Sequence, residues 1–253
     1  MASIDGFVRG NRGLLLTVAA LAVALVLFAR TELDLWVQDA LYDFADARWL
    51  VDARAALPRL LFYRLPKLAL AGSALVLAAR ASVAWRGDRR SPSSQRTARA
   101  SLFLLAALAV VPGVVGLGKQ VTGVHCPSES DRYGGRVPHH TLFEQPPPTT
   151  FPIPRGRCFP AAHASGGFAV MALAFVGSQR LRRAGWGLGL GWVLGLYQMA
   201  RGAHYLSHTV VAMLLAWGIV LGLARAFGLD PATAARAEAV QPDGRGVRSS
   251  SGS

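Results

Sequence analysis

This chain has little charge, little cysteine and almost no lysine. Charged residues make up 16% of its 253 positions, and it has two cysteines and two lysines. No Asp or Glu occurs between residues 145 and 229. With 52% hydrophobic residues and a mean hydropathy of +0.34, the low charge excludes a soluble domain of ordinary composition. The carboxylate gap leaves a metal centre in that stretch short of oxygen ligands. The net charge of +13 suggests nucleic acid, but no base-reading element accompanies it.

Long apolar runs are present instead. They cover residues 13–29, 60–79, 100–118, 161–177, 184–199 and 206–223, with Arg64 and Lys67 loosening the start of the second. Each is near the roughly 20 residues that a helix needs to cross the hydrocarbon, where only helices satisfy their own backbone in a single segment. The expected fold is therefore an all-α, polytopic membrane protein: a six-transmembrane-helix bundle over residues 1–229, with an extracytoplasmic loop between the third and fourth helices. A signal peptide led by Arg9 and Arg12 is the rival for the first run, but no clean cleavage site follows it. Arginines crowd the start of the first run, the second and fourth connections and the region after the sixth run. The positive-inside rule puts these in the cytoplasm, with both termini. Residues 31–58 carry six acidic residues and face out; Leu33, Trp36, Val37 and Leu41 there have the spacing of an interfacial helix. Residues 230–253 are small and polar, and a disordered cytoplasmic tail is expected.

Cys126 and Cys158 both fall in the outward loop, where a disulfide between them is expected in preference to a metal pair or a reactive thiol. All six histidines lie between residues 125 and 208. In this topology Lys119, His163, Arg201, His204 and His208 share one depth, and two helix N-termini point at it. Cations and helix N-termini around imidazoles suit a phosphate group. Snorkelling to headgroups explains any one of these residues, but explains five together less well. His204 and His208 lie four apart on one helical face, so one imidazole could attack phosphorus while the other orients it. The same pair could chelate a metal, but would need His163 or a loop residue as third ligand, so that reading ranks lower. Gly185, Gly187, Gly189, Gly191 and Gly195 form small-xxx-small pairs that suit close helix packing.

Three segments carry a resemblance: Lys119…Cys126-Pro127, then Pro160-Ala161-Ala162-His163, then Arg201-Gly202-Ala203-His204-Tyr205-Leu206-Ser207-His208. They resemble the motifs K-x(6)-R-P, P-S-G-H and S-R-x(5)-H-x(3)-D of the membrane-bound type 2 phosphatidic acid phosphatase family, over residues 100–223, and look like a bacterial branch of it. The resemblance implies that Lys119 binds phosphate, His204 is the nucleophile of a phosphohistidine intermediate and His163 is the general acid. It implies no metal and no other cofactor. Cys126 stands where the first motif has Arg, and Ala161 and Ala162 replace Ser and Gly in the second. Gln198 takes the third-motif Arg position with Arg201 one turn later, and His208 replaces the Asp. Arg201 can supply one guanidinium, and Arg132, Arg155 or Arg157 the other. A neutral His208 still accepts a hydrogen bond but brings no negative charge, which makes the nucleophile pH-sensitive. Glu129, Asp131 or Glu144 are loop carboxylates that could compensate. His125 neighbours the lost Arg, while His139 and His140 read as plain loop residues.

The expected activity is hydrolysis of a lipid phosphate or pyrophosphate at the periplasmic face of a bacterial inner membrane. Candidate substrates are undecaprenyl pyrophosphate, phosphatidylglycerol phosphate, phosphatidic acid and lipid A. A lipid-to-lipid phosphotransferase, a weakly catalytic headgroup-binding protein and a metal-dependent hydrolase on His204 and His208 are the alternatives.

Overall fold

The computed structural model describes residues 4–87, 90–141, 144 and 152–230; the expected tail from 231 onward lies outside the described residues. The elements are helical apart from one small hairpin. Helix α1 (Ile4–Arg30) is followed by a short α2 (Leu33–Asp39) and by strands β1 (Tyr42–Asp43) and β2 (Arg48–Trp49), paired antiparallel with Tyr42 opposite Trp49. Helix α3 (Ala56–Arg59) passes through a π-helical turn, Leu60–Arg64, into α4 (Leu65–Arg86). Then come α5 (Pro92–Thr122), α6 (Ala162–Ala169) with a 3-10 extension Val170–Phe175, α7 (Arg180–Ala200) and α8 (Leu206–Ala226).

Among the described residues, four stretches are long and apolar enough to cross a membrane: Asn11–Arg30, Ala56–Arg86, Pro92–Glu129 and Leu206–Ala226. The other two expected spans are also helical, but of different character. The helix from Ala162 to Phe175 rises roughly 24 Å against a hydrocarbon core of ~30 Å. It packs against α5, α7 and α8, and most of its residues are enclosed by protein. Helix α7 has 21 residues, but three arginines and five glycines dilute its apolar character. Helix α1 lies along α8, with Thr17 beside Gly218, and so is part of the bundle.

Small side chains set the packing distance. Ala107, Ala161, Ala164, Ala172, Ala212 and Ala216 are fully or almost fully buried in the core around Phe103 and Phe168. Gly187 and Gly191 let α7 touch the backbone and Phe168 ring of α6, and Gly195 receives Thr209 of α8. This is the close approach expected of a small-residue stripe. Gly185 and Gly189 take no part in it; a Cβ there would meet open space.

The antiparallel order brings the ends of α1, α5 and α7 and the starts of α4, α6 and α8 to one end of the bundle. Residues 31–58 fold over that end. The first helix of this segment, Leu33–Asp39, is shorter than its periodicity suggests, because the chain turns at Ala40 into the hairpin; α3 begins only at Ala56. Trp36 is 74% exposed and suits an interfacial anchor, while Gln38 is fully buried and donates from Nε2 to the Met199 carbonyl at 2.8 Å. Val51 donates its N–H to the Ala200 carbonyl at 3.0 Å. Trp49 stacks its ring on Gly202, whose φ of +72° and lack of a Cβ are both needed there. Cys126 and Cys158 form a disulfide pair with Cα atoms 5.2 Å apart, which ties the exit of α5 to the approach to α6. At the opposite end of the bundle, Arg183 donates to the Val176 carbonyl and Arg225 pairs with Asp230 at 3.3 Å.

Candidate active site

A cavity of about 710 Å³ opens between α4, α5, α6 and α7 below the disulfide. Lys119, His163, Arg201 and His204 all line its outer part, so four of the residues singled out by sequence do converge. Leu70, Ala71, Leu105, Leu108 and Pro112 line the part that runs down between α4 and α5.

Each polar residue is placed by a local cause. Lys119 sits in the last turn of α5, which Gly123 ends in the left-handed conformation (φ +71°). Arg155 donates to the Val121 carbonyl and so satisfies that helix end, away from any phosphate role. His163 lies in the first turn of α6, with Nε2 2.8 Å from the Phe62 carbonyl and its ring stacked on Tyr63 at 4.7 Å. An α-helix would have that carbonyl accept the backbone N–H of residue 66, and Pro66 has none. The π-helical turn and Pro66 together present Phe62 oxygen to the imidazole. Nε2–H donates to it, which leaves Nδ1 for a ligand in the cavity. Arg201 caps α7 after its last turn, with its guanidinium 5.9 Å over the Tyr197 ring and Nε without a protein partner among the described residues.

His204 lies in the turn between α7 and α8, 5% exposed, and burial holds its imidazole well below the usual histidine range, hence neutral. Its Nδ1 is 3.4 Å from Nδ1 of His208, which is fully buried in the first turn of α8 between Phe159 and Tyr205. The distance is long for a hydrogen bond, but the two nitrogens face each other. Position 208, where the resembled motif carries Asp, thus faces His204. His204 lines the large cavity, whereas His208 does not.

A residue that the sequence reading counted only as an outward charge fixes this turn. Asp34 of α2 accepts the Ser207 backbone N–H at 2.7 Å, at the N-terminus of α8. Burial raises its carboxyl from 3.8 to about 6. Glu129, Asp131 and Glu144 do not take that place; Glu129 accepts the Cys126 backbone N–H at 2.8 Å and Asp131 and Glu144 bond within the outer loop. Lys67 is the second residue missed. It lines the cavity with Lys119, and its ammonium lies 5.9 Å over the Tyr63 ring. Its rarity was the one sequence signal, Lys67 being one of two lysines, and its place in the cavity depends on the fold.

The two loop arginines stay apart from this cavity. Arg132 makes a bidentate pair with Asp39, at 2.8 Å from Nε and 2.6 Å from the terminal nitrogen, and is held in the outer layer. Arg157 is exposed beside the disulfide and does not line the cavity. Among the described residues, the one metal-like cluster is Cys126, Glu129 and Cys158, whose sulfurs are bridged to each other.

Fold and site together define a membrane-type helical bundle with a histidine pair and a cationic cavity at one end. The PAP2 superfamily model matches residues 100–230, more than half of the chain, and the chain belongs to that superfamily, whose members are generally phosphatases. No curated protein and no solved structure shows significant similarity to the chain.

Proposed function

We propose that the protein is an integral membrane phosphatase that hydrolyses a phosphate or pyrophosphate monoester of a membrane lipid at the outer face. The observation that carries the reading is the double character of the cavity. One part is cationic, with Lys67, Lys119 and Arg201 around His204; the other is apolar and runs between α4 and α5. A soluble phosphate ester needs only the first, whereas a lipid phosphate needs both. The arginine-rich opposite end favours the cytoplasm, which supports an outward-facing site.

The chemistry follows from the positions. The cations draw in the phosphoryl group and offset its charge as it is transferred. His204, its Nδ1 turned to His208, attacks phosphorus through Nε2. The N–P bond forms as the bond to the leaving lipid oxygen breaks. His163, protonated, gives its Nδ1 proton to that oxygen, then takes one from the water that hydrolyses the phosphohistidine. The Phe62 carbonyl and the Tyr63 ring hold the imidazole in line for both transfers.

The test is phosphate release by purified protein in lipid nanodiscs, from phosphatidate and from an isoprenyl pyrophosphate, with His204→Ala alongside. Wild type should turn over at least one of them and accumulate an acid-labile phosphoenzyme. Turnover by the variant at the wild-type rate would end the phosphohistidine reading. Phosphate passed to a second lipid instead of water would make the same site a transferase.

A further inference from the structure

The histidine pair joins two cavities. His204 lines the large one, and His208 lines a second, outer cavity of about 280 Å³. Carboxylates reach the outer cavity from α2, where Glu32 and Asp34 stand, and from the loop, where Glu144 does. Its imidazoles are His125, His139 and His140, with His125 and His140 ring centroids 5.5 Å apart. Tyr205 completes the wall beside His208. Two of these wall residues carry a buried nitrogen without a hydrogen-bond partner among the described residues, Nε2 of His208 and Nδ1 of His125. Polar lining and this volume suit water. Lys67, Lys119 and Arg201 are the cations on the large-cavity side of the pair.

An Asp at position 208 could hold the proton on His204 Nδ1 but has no second nitrogen through which to pass it on. An imidazole takes a proton on one nitrogen and releases one from the other. We propose that His208 is a proton relay that drains the His204 nucleophile into the outer cavity. The proposal rests on the phosphohistidine reading. As the N–P bond forms at His204 Nε2, the Nδ1 proton moves to Nδ1 of His208. The proton on His208 Nε2 leaves to water in the outer cavity and is taken up by its histidines and carboxylates. The path runs backward when water cleaves the N–P bond. Protonation of His204 Nδ1 then makes the imidazole the better leaving group. Two cavities on either side of one imidazole pair give substrate and proton separate doors.

The test compares His208→Asn with wild type and with His204→Ala, by kcat, KM and pH profile on the best lipid substrate. Asparagine can still accept from His204 Nδ1 but cannot relay. The relay predicts a fall in kcat of about 100-fold with KM within about twofold, and accumulated phosphoenzyme. A His208→Ala protein should recover about tenfold on addition of imidazole. His208→Asn at more than half the wild-type kcat across the pH range, with His204→Ala inactive, overturns the relay and leaves the phosphohistidine standing. Active His204→Ala removes both. If the buried variants fail to fold, His125→Phe decides, since it leaves the pair intact and fills the space beside it. A kcat lowered severalfold with a flattened pH profile and unchanged KM supports the relay; an unchanged profile overturns it.

Discussion

Asp34→Asn is the substitution whose effect can be worked furthest. The carboxyl titrates at about 6 in the folded chain against 3.8 ordinarily, because burial disfavours its charge. The folded state therefore binds the proton more tightly than the unfolded state. The contribution of Asp34 to stability is greatest below pH ~4 and falls as pH rises to ~6, by ~3 kcal/mol in all. The amide keeps an oxygen for the Ser207 N–H without burying a charge. It forgoes the attraction of a carboxylate to the α8 N-terminus, ~0.3–1 kcal/mol. Asp34→Asn should therefore lose the decline between pH 4 and 6.5 and exceed wild type by ~2–3 kcal/mol at pH 7.5. Thermal unfolding in detergent at a series of pH values reads this directly, at roughly 2–4 °C per kcal/mol for a chain of this size. Asp34→Ala removes the acceptor and should lie below Asp34→Asn at every pH by ~1 kcal/mol. Parallel wild-type and Asp34→Asn curves over pH 4–7 would refute the assignment of a buried, raised carboxyl at the head of α8.

Three other outcomes follow from the geometry. Lys67→Met should lower kcat/KM by roughly 10- to 100-fold, mostly through KM, because it removes a cation from the cavity; equal kinetics would place Lys67 outside the binding set. Gly202→Ala should cost ~2–4 kcal/mol and depress expression, since a Cβ there meets the Trp49 ring at positive φ; a wild-type melting temperature would refute the contact. Cys158→Ser should lower stability by ~3–4 kcal/mol by freeing a loop with a sequence separation of 32, measurable by thermal unfolding with and without reductant on wild type.

The sequence carried the helices and the site unequally. Each apolar run falls on a helical segment, because hydrocarbon-facing surface must be continuous, but α1 and α5 begin well before their runs, at Ile4 and Pro92. Length and burial then separated them: the run at 161–177 is enclosed by protein, so apolar composition there reflects a core, not lipid. Lys119, His163, Arg201 and His204 were legible because helix polarity alone puts their ends in one layer. Asp34 and Lys67 were not, since their roles depend on how residues 31–67 fold over that layer, which no periodicity reports. Arg132 illustrates the converse. A loop arginine close in sequence to the first motif looked available for phosphate, but Asp39, more than ninety residues away, claims it.

The short, enclosed α6 bears on how the molecule comes to exist in a membrane at all. A helix that rises ~24 Å makes a poor independent insertion unit. It needs α5, α7 and α8 already around it, with the glycines of α7 giving it room. His163 rides on its first turn, so in the proposed mechanism the proton donor reaches the cavity only when the bundle closes. On that mechanism, chains caught before closure would hold the lysines without the proton donor beside them.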